Sequence, residues 1–354
     1  MPVKAAFPAV SMSTGVSTMK KEHRVALCET GGWRNRVLGT VGWLILLGVL
    51  SLQVVSAQTA SNQEKSIPLP DKTFPESVTS TSDGTIYTGS FRNGGVLRAK
   101  PGGKAEEFIK PGAGGSRSTF GVLADAKSGT LYVCSNDVSA MGVPGPSDSK
   151  GAFLKTFDLA TGAPKGSFAL SEPKSFCNDI VVGSDGTAYV TDSFAPDVYS
   201  LKPGGTALEI WVTDPQLAPA KDGVGLDGIA IGSDGNVYVT TYIPGKLFRI
   251  TVKDGKAGEI TELKPSRPLD HADAMRAFGD SFLLIEGNGK LDKVTVKGDA
   301  ADIETIKDGL TEPVSVTQVG DTGWIAEGKL SYLIGPNKGK DPGPFEIKAV
   351  TLPK

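Results

Sequence analysis

The sequence predicts an all-β chain, a six-bladed β-propeller whose blades are four-stranded and antiparallel. Three observations predict it. Glycine and proline are abundant, 45 and 23 of 354 residues, with no collagen-like period. Helical patterns are few, and apolar residues instead alternate with a period of two. One phrase also returns along the chain: "FCNDIVVGSDGTAYVTDSF" from Phe176 to Phe194, then "LDGIAIGSDGNVYVTTY" from Leu226 to Tyr242.

Each copy reads as a hairpin with two further strands. Ala188 and Val190 alternate with Tyr189 and Thr191, as strand side chains must when successive residues face opposite sides. Ser-Asp-Gly supplies the positive φ at which two antiparallel strands reverse. A third strand follows in Asp197 to Gly205 or Lys246 to Gly255, and a fourth in Ala207 to Thr213 or Glu259 to Lys264. The turn glycines Gly186 and Gly235 stand roughly 50 residues apart, a spacing that marks propellers and other repeat folds. Further copies begin at Pro75, Thr119, Ala272 and Pro313, which makes six. A β-sandwich is the rival architecture, but it would not repeat one phrase so regularly.

The chain divides into a leader over 1–57, a linker over 58–73 and the propeller over 74–354. Arg34 and Arg36 precede the apolar run Val41 to Val55, and small residues up to Ala57 follow. This pattern describes a secretory signal peptide and predicts export, to the periplasm or beyond. An uncleaved anchor is the alternative, and would be the chain's only membrane contact. Cys28 falls in the leader, so Cys134 and Cys177 remain, either as a disulfide or as two buried thiols. A net charge of -2 gives no reason to expect nucleic acid as a partner.

In a propeller the first strand of each unit lines the central channel. The residue eight positions before the turn glycine stands at that strand's entrance: Glu76, Asn178 and Asp227 in the first, third and fourth units. Matching "DAMR" to "DGIA" puts Asp273 there in the fifth. Three carboxylates and an amide converging on one axis would repel unless a cation sat among them. An all-oxygen set suits calcium first, with zinc, magnesium or manganese as alternatives. Asp and Asn at strand entrances also bond turn N–H groups, and it is their equivalence across units that argues for a shared metal. Glu286 and Glu327 read as rim residues capping loops. His271, beside Asp270, reads as a loop histidine, with substrate contact as its functional alternative. No cysteine pair has zinc spacing, and no phosphate loop or nucleophile elbow is present.

At these residues the chain resembles the senescence-marker protein, gluconolactonase and luciferin-regenerating-enzyme family, over roughly Phe74 to Pro353. The family's metal ligands match Glu76 in "PESV", Asn178 in "CNDIVV" and Asp227 in "LDGIAI", and the resemblance gives Asp227 a second role as general base. Asp273 resembles the extra acidic ligand of the related paraoxonases. The family's substrate-contacting Arg-x-Asn is replaced by Thr119–Gly121, with Arg117 close by. The resemblance thus implies a metal-dependent hydrolase of small cyclic esters; Thr119, Arg117 and His271 are the candidate substrate contacts. The alternative is an exported, non-catalytic propeller that binds a small ligand or a protein and uses its metal as a structural pin.

Overall fold

The computed structural model describes residues 66–354 except 172, 173 and 222. The predicted leader, with its signal segment, His23 and Cys28, lies outside the described residues. Six sheets follow one another along the chain. Blade 1 is Val78–Ser80, Ile86–Gly89, Val96–Ala99 and Glu106–Ile109. Blade 2 is Ser118–Asp125, Thr130–Asn136, Ala152–Asp158 and Pro164–Ala169. Blade 3 is Cys177–Val182, Ala188–Asp192, Asp197–Leu201 and Glu209–Thr213.

Blade 4 is Leu226–Ile231, Val237–Thr241, Lys246–Lys253 and Lys256–Glu262. Blade 5 is Ala272–Phe278, Ser281–Glu286, Lys290–Lys297 and Ala300–Lys307. It gains a fifth, parallel edge strand in Lys264–Pro265. Each first strand packs beside the next, and that of blade 1 meets those of both blade 2 and blade 6, which closes the ring. The fold is the six-bladed propeller that the repeats predict.

Burial runs from the axis outward. The second strands Thr130–Asn136, Ala188–Asp192, Val237–Thr241 and Ser281–Glu286 are buried at every position. Both of their faces meet a neighbouring blade, so they read as continuous rather than alternating apolar runs. The outer strands Pro164–Ala169 and Glu209–Thr213 are largely exposed. Apolar contacts bridge the blades: Tyr189 and Trp211 of blade 3 meet edge to face at 4.7 Å, beside Val237 and Ile250 of blade 4.

One boundary is corrected. Residues 58–73 read as a linker, yet Ser66–Pro68 pairs antiparallel with Glu346–Thr351 and forms the outer strand of blade 6. After Glu312 the chain itself supplies only three strands, Pro313–Val319, Thr322–Glu327 and Glu346–Thr351. The open edge of that blade is covered by the start of the domain, so the ring is fastened by chain from both ends. Cys134 and Cys177 form a disulfide between blades 2 and 3, with their Cα atoms 5.2 Å apart. Beside it the Asn136 amide exchanges two hydrogen bonds with the Cys177 main chain, at 2.8 and 3.0 Å.

Candidate active site at the channel mouth

In blades 2 to 6 the entrance of the first strand is irregular in the same place. Register shifts fall between Thr119 and Val122, Cys177 and Ile180, Leu226 and Ile229, Ala272 and Met275, and Pro313 and Ser315. A bulge adds a residue and re-aims a side chain, a device common at the rims of barrels and beside active sites. The equivalent positions are therefore Phe120, Asn178, Asp227, Asp273 and Val314 in blades 2 to 6, with Glu76 before the first strand of blade 1. The residue after each is small in five blades: Ser77, Gly121, Gly228, Ala274 and Ser315. At two of these the reason is direct. A Cβ on Gly121 would lie 2.1 Å from the Asn178 carbonyl oxygen, and one on Gly228 would lie 2.4 Å from that of Asp273. Neighbouring entrances approach so closely that only glycine fits between them.

Hydroxyls of the second strands hold this crowded backbone. Thr191 donates to the Asp227 carbonyl at 2.7 Å and accepts from the Asp179 N–H at 3.0 Å. Thr240 reaches the Asp273 carbonyl at 3.2 Å. Ser193 donates to the Leu226 carbonyl at 2.7 Å, so its oxygen must accept from the Asn178 amide at 2.8 Å, which sets the orientation of that amide. Asp192, Glu286 and Glu327 end their second strands by accepting from the backbone N–H groups of Phe176, Asp270 and Thr311. The two glutamates thus occupy loop-capping positions.

Glu76, Asn178, Asp227 and Asp273 are all buried. Burial is the main cause that raises the Glu76, Asp227 and Asp273 carboxyls, and repulsion among the neighbouring acids adds to it. Asp227 is pushed up to about 8. Asp273 and the Asn178 amide, close enough to interact with it, oppose that rise in part. Asp227 Oδ1 is buried without any partner. Tyr242 is half-buried beside the same groups, and desolvation of its hydroxyl with the charges of Asp273 and Asp227 raises it far above the ordinary range. It stays protonated and able to donate.

Two more residues complete the centre, and both escaped the sequence reading. Asp179 occupies the position where the other blades carry Ser, Gly or Ala. Arg276 crosses from blade 5 to hold it with two bonds, of 2.6 and 3.0 Å. The Ile229 N–H of blade 4 donates to the same carboxylate at 3.3 Å. The pair spans three blades beneath the acid ring, and the Arg276 charge lowers Glu76 and Asp227 in partial compensation.

The remaining predicted contacts are placed as follows. His271 has φ 58 and packs edge to face on Tyr242 at 4.9 Å, with Asp270 bonded to its Nδ1. It stands two residues before Asp273, at the mouth. Thr119 is turned between blades, its Cγ2 packed on Gly89 of blade 1, and Phe120 takes the ring position instead. Phe120 belongs to a row of aromatic rings with Phe91, Phe176 and Phe194, at centroid spacings of 4.6 to 4.8 Å. Arg117 is buried and engaged by Asp137 at 3.2 Å and the Ser149 carbonyl at 3.0 Å. Its charge serves the 137–151 loop.

A divalent cation fits the chemistry of this donor set: three carboxylates, one amide, all oxygen donors, one of them orphaned and buried. Among the described residues no three His, Cys, Asp or Glu side chains are placed to hold one metal ion as they stand. Proton and cation compete for the same oxygens.

A family model described as strictosidine synthase-like, N-terminal, matches residues 63–99. No curated protein matches the chain by sequence. Among solved structures, virginiamycin B lyase from Staphylococcus aureus is 18% identical, with 82% of this chain and 99% of that one covered at a TM-score of 0.55. A gluconolactonase from Xanthomonas campestris is 14% identical, covering 81% and 88% at 0.55. A luciferin-regenerating enzyme is 13% identical, covering 82% and 92% at 0.57. At such identities these likenesses establish the shared propeller fold.

Proposed function

We propose that the chain is a metal-assisted hydrolase of small cyclic esters, similar to the gluconolactonases. The observation that carries this reading is the ring position itself: four blades place an oxygen donor there, and Asp227 Oδ1 lies buried without a partner. Glu76, Asn178, Asp227 and Asp273 would hold the cation, calcium first, with zinc, magnesium or manganese as alternatives. Such an ion supplies Lewis acidity toward an ester carbonyl.

The chain's own groups supply the rest. Asp227 is the general base. A carboxylate whose proton affinity is raised takes a proton from water more readily than an ordinary one does. The protonated Tyr242 hydroxyl donates a hydrogen bond where negative charge develops on the ester oxygen. Thr191 and Thr240 hold the backbone of the two acidic blades in register, and Arg276 with Asp179 ties blade 5 to blade 3. His271, which packs on Tyr242, would border the substrate.

A specific observation favours a second reading, the non-catalytic propeller with a structural metal. Blade 2 contributes Phe120 to the ring, and the nearby Arg117 is engaged by its loop. The family's basic and amide contacts therefore have no counterpart. Aldonolactones and simple γ- and δ-lactones, watched by acid release with each metal added, separate the two readings. Activity abolished by chelator and restored by metal supports the hydrolase. No acid release under any metal, together with metal-dependent melting, supports the binding module.

Export remains part of the proposal. The Cys134–Cys177 disulfide supports an oxidising compartment, the periplasm or the exterior, as the signal segment predicts.

A further inference from the structure

A cavity of about 810 Å³ opens between loops of blades 1, 2 and 6, and none of the acid-ring residues lines it. Its size lies within the usual range of roughly 300–1,000 Å³ for small-molecule sites. Four cationic side chains line it, Lys72, Arg92, Lys338 and Lys340, and no carboxylate does. None of the four has an anionic partner among the described residues. The apolar part of the wall is made by Phe74, Tyr332, Leu333 and four prolines.

The walls are held from behind by buried charges. Arg117 fixes the 137–151 loop through Asp137 and the Ser149 carbonyl, and Gly145 lies against its guanidinium. Lys329 fixes the opposite loop by donating to the Pro342 and Pro344 carbonyls at 3.1 and 2.6 Å. Glu312 accepts from the Ser331 N–H at 3.0 Å in the same loop. Lys72 and Phe74 adopt the left-handed region, with φ 61 and 45, a conformation costly for residues other than glycine. Hydrogen bonds from Ser90 to the Thr73 carbonyl and from the Phe91 N–H to the Phe74 carbonyl hold them there. A wall ordered in advance spares a ligand that cost.

We propose that this cavity binds an organic anion with an apolar body, a carboxylate or sulfonate carried on a ring, independently of the acid centre. The two sites sort charge in opposite ways. An anion is repelled by Glu76, Asp227 and Asp273 and attracted by four unpaired cations, while the prolines and aromatic rings take its apolar part. Exposed cations contribute little singly, so a small inorganic anion lacks the apolar half of the attraction.

The test uses the full chain, with chelator present, titrated with 1-anilinonaphthalene-8-sulfonate in low salt. The expected result is one saturable site per chain, displaced by 1-naphthoate and not by the neutral 1-naphthylmethanol at equal concentration. Arg92→Glu with Lys338→Glu should weaken binding by at least about tenfold without lowering the melting temperature. Displacement by the alcohol as effective as by the carboxylate, or unchanged affinity in the double variant, would overturn the proposal. Should the double variant fold poorly, the contrast between carboxylate and alcohol on the parent chain decides alone. Dye binding is read without metal, so its outcome is separate from whether the acid centre hydrolyses a lactone.

Discussion

Glu286 and Asp292 are as deeply buried as Asp227 and Asp273, and all four belong to blades 4 and 5, yet the two groups are balanced differently. Arg267 lies between the first two, 2.6 Å from Glu286 and 2.7 Å from Asp292, and Thr305 donates to Asp292 at 2.7 Å. That cluster carries its own counter-charge. The ring acids have only Arg276 nearby, and Arg276 is committed to Asp179. The comparison teaches what separates a structural carboxylate cluster from a candidate site. Burial and a raised proton affinity are common to both; Glu286 Oε1, though without a hydrogen bond, faces Arg267, whereas Asp227 Oδ1 is buried with neither a hydrogen bond nor an ion pair.

The largest expected effect is kinetic. Asp227→Asn removes the proposed base and should lower lactone hydrolysis by about 10³-fold, within the range of general-base contributions, while circular dichroism and melting show a retained fold. Turnover at the parent rate would remove Asp227 from the mechanism. Arg267→Ala is the matching change in the balanced cluster. It strands two buried carboxylates and should cost about 3 kcal/mol in urea unfolding, with no rescue by divalent ions. Rescue by calcium would mean that the two clusters do not differ in kind.

The blades and most of the ring were legible in the sequence alone, and the limits of that reading have physical causes. The blades could be read because Ser-Asp-Gly turns and period-two strands are local signals. Asn178 and Asp227 could be equated because their strands carry the same bulge. That same bulge hid blade 2: Thr119 and Phe120 differ by one position, and one position in a strand reverses the face. Pairings between distant parts of the chain left no local trace. Asp179 and Arg276 meet only after the ring closes, and Ser66–Pro68 finds its partner strand at the other end of the domain. Tyr242 was visible at the end of "VYVTTY", but only its neighbours give it a role.

Protonation sharpens the comparison in a third way. The folded protein raises Asp227 to about 8, from an ordinary value of 3.8. A carboxyl with a raised folded value contributes its full stability below the unfolded value and loses it as pH rises through the folded one. The metal-free protein should therefore lose stability between about pH 4 and pH 8, and Asp273→Asn should remove part of that loss. Glu76 and Asp273, raised in the same direction, add to it. Saturating calcium should flatten the profile, because a cation replaces the proton as counter-charge. A melting temperature that rises steadily over this range without metal would contradict the electrostatic account of the ring.

The smallest effect separates the groups that hold the ring from the groups that act in it. Thr191→Val keeps the shape of the side chain but removes the hydroxyl that donates to the Asp227 carbonyl and accepts from the Asp179 N–H. One buried hydrogen bond of this kind is worth about 1 kcal/mol, with a further penalty for the N–H left alone. Thr305→Val should cost a similar amount in the balanced cluster, where Arg267 still holds Asp292. The two variants should diverge in metal affinity, measured by calorimetric titration. Thr191→Val loosens the backbone that carries Asp227 and should weaken calcium binding, whereas Thr305→Val should leave it at the parent value. Equal affinities in the two variants would show that the cross-blade hydroxyl supports the fold and nothing more.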